Sequence, residues 1–211
     1  MKQKIIFIVF LLSIVVRTVQ AQTVSELFVN LPEPEYLTLT VSDRLDLIDM
    51  YKAGEKAEVK NIFGDPCIIL KMTNDYLQLR IGESILELFL LTMINDSKIV
   101  GLIKTVCAPV CDSVLEFFTI RWKKIPDSVF INYANKYDFI KEGTNIEDEQ
   151  VKNALVFLDI SLMRFNYDPE KQELYQYYTT PEYLSETERA KVTQYLNETH
   201  KQFKWNQTRF E

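Results

Sequence analysis

Residues 85–93 (ILELFLLTM), 98–106 (KIVGLIKTV) and 113–122 (SVLEFFTIRW) are three short apolar runs in close succession. They are rich in β-branched and aromatic side chains, which suit a pleated, half-buried surface. Asn95-Asp96-Ser97 separates the first two and supplies turn chemistry. No helical stretch intervenes, so the runs predict strands of an antiparallel meander and not parallel β-α-β crossovers. Just upstream, over residues 67–81, Leu70, Met72, Leu77, Leu79 and Ile81 alternate with polar residues around Thr73-Asn74-Asp75. That period of two predicts a hairpin with one buried and one wet face.

Outward from this block the period changes. Residues 24–31 predict a short helix with Ser25 near its start, ended by Pro32-Glu33-Pro34. Ser42-Asp43 would cap a second helix over 44–53, stopped by Gly54, with Leu45, Ile48 and Tyr51 on its buried face. Asp43, Asp46 and Asp49 recur along that helix, and their position near its N-terminus suits the helix dipole better than a calcium loop, whose glycine and closing glutamate are missing. After Pro126, short helices are expected around 129–133 and 137–140, a polar loop at 145–150, and a helix or strand at 151–158. Residues 160–167 and 173–178 form a second hairpin around Asp168-Pro169-Glu170-Lys171, where Pro presets the turn. Ser185 and Glu188 make a capping box. It opens a long final helix, about 186–204, with Ala190, Val192, Tyr195, Leu196 and Phe203 as its stripe. The fold class is therefore α+β: an antiparallel sheet, meander plus hairpin, covered on one face by helices.

The N-terminus gives an address. Lys2 and Lys4 precede an apolar run at 5–16, and Val19-Gln20-Ala21 offers a small-residue cleavage site. Residues 1–21 thus read as a signal peptide, leaving residues 22–211 as one α+β domain, or two packed halves at about 22–126 and 127–211. The first cysteine is Cys67, so no lipid-bearing cysteine follows the cleavage site. Residues 85–94 are the longest later apolar stretch and are too short to cross a bilayer, so no span is expected after signal removal. The address is periplasmic or secreted.

Composition excludes several functions. Of 24 basic and 30 acidic side chains, removal of Lys2, Lys4 and Arg17 leaves 21 against 30, a net charge of −9. That surface repels phosphate backbones, so nucleic acid is not expected as a partner. The five glycines stand apart (Gly54, Gly64, Gly82, Gly101 and Gly143), which denies the chain a phosphate-cradling loop. No cofactor is expected. A single histidine, His200, and cysteines without paired metal spacing give no metal site. The three cysteines are expected mainly as buried thiols, while a turn at Ala108-Pro109 would let Cys107 and Cys111 pair.

Three stretches carry a resemblance. Residues 44–51 (RLDLIDMY), residues 105–113 (TVCAPVCDS) leading to Trp122, and Tyr183-Leu184-Ser185 before the closing segment near Trp205 are together similar to a family of secreted proteins of unknown function from Bacteroidales. The resemblance spans nearly the whole chain after the leader. It implies an exported protein of a Gram-negative anaerobe and brings no catalytic residue with it. Cys107 and Cys111 depart from the commoner residues of that stretch.

Candidate chemistry is sparse. A Cys-His hydrolase would need His200 with Cys107 or Cys111, and no Gly-x-Ser-x-Gly elbow exists for a serine nucleophile. Carboxylate pairs for hydrolysis are numerous and none stands out. No catalytic residue is assigned, and an enzyme is not favoured. Aromatic residues speak more clearly: Tyr175, Tyr177, Tyr178 and Tyr183 follow Phe165 and Tyr167. On a strand Tyr177 and Tyr178 face opposite ways, so one sheet face is expected to present tyrosines for contact with a protein or peptide partner in the cell envelope. A periplasmic hydrolase and a carbohydrate-contact module are the alternatives.

Overall fold

The computed structural model describes residues 22–32, 38–197 and 200–211. The expected leader, residues 1–21, lies outside them. The order of elements is α1 (Val24–Val29), α2 (Val41–Lys52), then seven strands: β1 (Glu58–Lys60), β2 (Pro66–Met72), β3 (Tyr76–Ile81), β4 (Ser84–Thr92), β5 (Lys98–Cys107), β6 (Cys111–Thr119) and β7 (Lys124–Ile125). There follow α3 (Glu149–Leu155), β8 (Met163–Asp168), β9 (Glu173–Tyr178), α4 (Thr180–Tyr183), α5 (Glu186–Thr193) and β10 (His200–Lys204). Strands β1 to β7 form one antiparallel sheet in sequence order, and a second sheet has the order β10-β9-β8. The fold is α+β, mostly sheet. Among the described residues no helix is long and apolar enough to cross a membrane.

The large sheet is covered on both faces, not one. On one side Leu77, Leu79, Leu86, Leu88, Val100 and Leu102 pack with Val24, Leu27 and Phe28 of α1 and Leu47 and Ile48 of α2. On the other, Tyr76, Phe89, Leu91, Ile103, Leu115 and Phe117 pack with Phe165, Tyr167 and Leu174 of the small sheet. Strands buried on both faces lose the alternation of a half-wet strand, which is why the 85–93 run is apolar apart from Glu87 and Thr92. Each such side chain contributes about 1.5–3 kcal/mol when fully buried. The β2–β3 hairpin falls where expected, but its register shifts between Ile69 and Lys71. The irregularity turns Leu70 outward while Cys67 and Ile69 are buried, so the simple alternation breaks there.

Helix starts also differ from expectation. Thr23 caps α1 through a capping box with Glu26, and Thr40 caps α2 through one with Asp43. The buried face of α2 holds Arg44, Leu47 and Ile48, while Leu45 is exposed. Arg44 is 1% exposed and donates to the carbonyls of Phe28 and Leu31 at 3.2 and 2.8 Å. It thereby supplies a donor to the Leu31 carbonyl beyond the end of α1 and a further one to the Phe28 carbonyl, which also accepts from the Leu31 amide. The long final helix is not formed: α5 ends at Thr193, Leu196 bridges Ile140, and β10 pairs with β9. Only Val192 of α5 is buried, so that helix has too thin an apolar stripe to extend, whereas a strand at 200–204 completes the small sheet. Cys107 and Cys111 form a disulfide across the tip of the β5–β6 hairpin, and only Cys67 remains a thiol.

The small sheet docks by its edge as well as its face. Three backbone N–H groups of β8 point away from β9, and each meets a side-chain acceptor of the large sheet. Met163 donates to Asp112 Oδ1 (2.9 Å), Phe165 to Ser113 Oγ (3.1 Å) and Tyr167 to Glu87 Oε2 (3.3 Å). Glu87 is 2% exposed, and the Tyr76 hydroxyl also donates to its Oε2, at 2.7 Å. Nearby, the Tyr167 ring stacks on Phe89 at 4.0 Å between centroids. Phe89 lies directly across Gly101 of β5. A Cβ on Gly101 would sit 2.2 Å from that ring, so glycine is required by the close approach.

Candidate functional site

The pairing of β8, β9 and β10 fixes what the small sheet shows to solvent. Side chains alternate, so Met163, Phe165, Tyr167, Leu174, Gln176, Tyr178 and Phe203 turn inward and their neighbours turn outward. The outward face has three rows: Arg164-Tyr177-His200, Asn166-Tyr175-Gln202 and Asp168-Glu173-Lys204. Two aromatic rings, a guanidinium, an imidazole and two carboxamides thus share one surface.

Its geometry is fixed by contacts among its own members. The Arg164 guanidinium carbon lies 4.1 Å from the Tyr177 ring centroid. The His200 ring lies 5.4 Å from that of Tyr177 and 5.9 Å from that of Tyr175. The Tyr175 hydroxyl donates to Glu173 Oε2 at 2.7 Å, and that bond holds its proton above the ordinary phenol range. Arginine over an aromatic face is attracted by the ring quadrupole, by about 0.5–1 kcal/mol at exposed sites. The rows therefore hold the rings in place before anything binds, which lowers the ordering cost of contact. A cleft of about 360 Å³ flanks this face, lined by Tyr175, Tyr177, Asn166, Asp168, Glu170 and Lys71 among others. Lys71 and Glu170 close one wall at 3.3 Å.

The tyrosines expected from the sequence separate as strand geometry requires. Tyr175 and Tyr177 are half-exposed on the outward face, while Tyr178 is buried and stacks on Phe139 at 5.3 Å. Tyr183 is exposed at the end of α4, on neither face of the small sheet. Sequence reasoning missed Arg164, Asn166 and Gln202 and weighed His200 only as the partner of a cysteine. The alternation in residues 163–168 carried a signal for the first two. The other two were hidden by assigning residues 200–204 to a helix.

A second cleft, about 390 Å³, runs between β6 and β8 and is lined by Asp112, Asp127, Tyr133, Asn135, Met163 and Gln176 among others. Its polar groups are engaged in structure: Asp112 accepts from Met163, Asp127 Oδ1 accepts from the Ser128 amide, and the Gln176 carboxamide makes two bonds to the Ala134 backbone. Burial, with Asp127 alongside, pushes the Tyr133 phenol up. The Cys-His arrangement has no nucleophile here. Cys107 and Cys111 are joined to each other, and burial pushes the Cys67 thiol up to about 11. Among the described residues the carboxyl strongly shifted upward is that of Glu87, which is buried in the interior. Among the described residues no cluster of three or more His, Cys, Asp or Glu side chains is placed to hold a metal ion.

A family model described as "Protein of unknown function (DUF3256)" matches residues 16–210. A solved structure titled "Structure of a domain of an uncharacterized protein from Porphyromonas gingivalis W83" is similar, with a TM-score of 0.78 and 22% identity. The match covers 88% of this chain and 96% of that one, a likeness of fold. No curated protein matches the sequence.

Proposed function

The chain belongs to the DUF3256 family, and we propose that it is a non-enzymatic binding protein of the periplasm or cell envelope, whose working surface is the outward face of the small sheet. One observation carries this reading: Tyr175 and Tyr177 stand side by side on that face, each partly exposed and braced by Arg164 and His200. Tyrosine and arginine are residue types that dominate contact energies at protein interfaces, because they bury a large surface and keep a polar end. A protein or peptide is the expected partner. Export is supported by the leader-like residues 1–21 and by the Cys107–Cys111 disulfide, which persists in oxidising compartments. Carbohydrate is the second reading, favoured by the carboxamides of Asn166 and Gln202 beside the rings.

The test is to probe peptide and glycan arrays with labelled chain 22–211 and with a Tyr175→Ser/Tyr177→Ser double variant. Peptide features that the wild type binds and the variant loses support the proposal. Glycan features lost by the variant would replace the partner class. Signal that the variant retains in full refutes this face as the site. N-terminal sequencing of the native protein from cell fractions tests export: a chain beginning at Gln22 outside the cytoplasm is expected, and one beginning at Met1 in the cytosol is the contrary result.

A further inference from the structure

Strand β8 lies at an edge of the small sheet, and its outer side is chemically one-sided. A residue that does not bond across an antiparallel pair turns both its N–H and its C=O away from the partner strand. Met163, Phe165 and Tyr167 do so, and their amides are spent on Asp112, Ser113 and Glu87. Among the described residues nothing donates to the Phe165 and Tyr167 carbonyls. An added strand must both give and accept, so this edge does not extend the sheet. It takes donors only. The cleft of about 360 Å³ beside the tyrosine face lies at the Tyr167 end of that edge, and all of its lining residues are among those described. Its other groups are acceptors and rings. The Asn166 carboxamide makes no hydrogen bond with a described residue. Asp168 and Glu170 set two carboxylates against one ammonium, that of Lys71. Lys71 itself lies 5.9 Å from the Tyr76 ring centroid, and its pair with Glu170 is exposed on both sides and therefore weak.

We infer that this cleft receives an arginine side chain of the peptide partner; the inference rests on the binding reading above and names the residue that anchors the partner. A guanidinium carries N–H donors around its whole rim and no acceptor, which matches a lining of carbonyl, carboxamide and carboxylate. Its flat faces gain from tyrosine rings, as Arg164 over Tyr177 already shows within the protein. The chain is acidic overall, which draws basic peptides from a distance. A partner carboxylate finds the reverse: the β8 amides are engaged, and two carboxylates oppose it. Lysine is the poorer cation here, because its compact ammonium cannot reach acceptors on several walls at once while lying flat on a ring.

The experiment titrates 13C,15N-labelled chain 22–211 with acetyl-Thr-Tyr-Arg-Tyr-Thr-amide and with the same peptide carrying citrulline in place of arginine, which keeps the shape and loses the charge. Expected are a downfield shift of the Tyr167 carbonyl carbon and a change at the Asn166 side-chain amide, with the citrulline peptide binding about tenfold more weakly. Lys71 and Glu170 are exposed, so substitution there leaves the fold intact. Glu170→Gln should weaken the arginine peptide about threefold. Lys71→Gln should strengthen it about twofold, because a like charge is removed, whereas a ligand held by Lys71 would lose affinity. Four results overturn the inference: no binding of the arginine peptide at millimolar concentration, equal affinity for the citrulline peptide, weaker binding to Lys71→Gln, or the same shifts growing with protein concentration in the absence of peptide. Equal affinity for the two peptides, lost in the Tyr175→Ser/Tyr177→Ser variant, leaves the binding reading standing while the arginine anchor fails. Array signal unchanged in that variant refutes the binding reading separately.

Discussion

Replacing Glu87 with glutamine should make the protein more stable at alkaline pH and leave it little changed in acid. Glu87 is buried between the sheets, and burial pushes its carboxyl up to about 7 from 4.5, against the opposing hydrogen bonds from Tyr76 and the Tyr167 amide. Below the unfolded value both states hold the proton and nothing is lost. Between the two values the unfolded chain ionises while the native chain keeps its proton, so stability falls as pH rises. Above about 7 the native carboxyl ionises too, and the loss levels off. A shift of this size corresponds to about 3 kcal/mol at about 1.4 kcal/mol per unit. Glutamine fills the same space, accepts from both donors through one oxygen and does not titrate. Urea unfolding of wild type and Glu87→Gln at intervals from about pH 5 to pH 8 should show the variant gaining about 2–3 kcal/mol on wild type across that range. Parallel pH profiles for the two proteins would refute the reasoning, since other titrating groups cancel in the difference.

Four further outcomes are expected. Gly101→Ala should lower stability by about 3 kcal/mol in chemical denaturation, because its methyl meets the Phe89 ring and that ring is pinned against Tyr167. Arg44→Met keeps most of the apolar stem but removes the guanidinium donor from the Leu31 carbonyl and one of the donors to the Phe28 carbonyl, at a cost of about 1–3 kcal/mol measured the same way. Reducing the Cys107–Cys111 disulfide should cost only about 2 kcal/mol, read as a lower Tm, because the loop it closes is short. Cys67 should meanwhile resist alkylation until the chain unfolds, as its thiol is buried.

Much of the fold is written locally. The strands of the meander lie near where residues 85–122 predict them because their apolar runs, and the turn residues between the first two, need no distant partner to be recognised. The capping box of Ser185 and Glu188 opens α5 as expected for the same reason. What the sequence hides is set at a distance. That β4 and β5 are covered twice follows from the small sheet arriving on the second face, which no local period reports. Residues 200–204 carry apolar Phe203 at a spacing that fits a helical stripe, and only pairing with β9 decides for a strand. The site followed the same division: Tyr175 and Tyr177 are legible in residues 173–178, but His200 and Gln202 join them only through that pairing. Leu45 illustrates the limit within a helix, since Leu47 and not Leu45 meets the sheet once Thr40 has set the start.

The seam along β8 has a consequence for descent. An ordinary strand ladder is written in amides, which every residue but proline supplies, so substitution seldom erases it. Here the joint between the sheets is spelled in Asp112, Ser113 and Glu87, three codons that can each be changed alone. Lineages can therefore loosen, retune or realign one layer against the other without disturbing the pairing inside either.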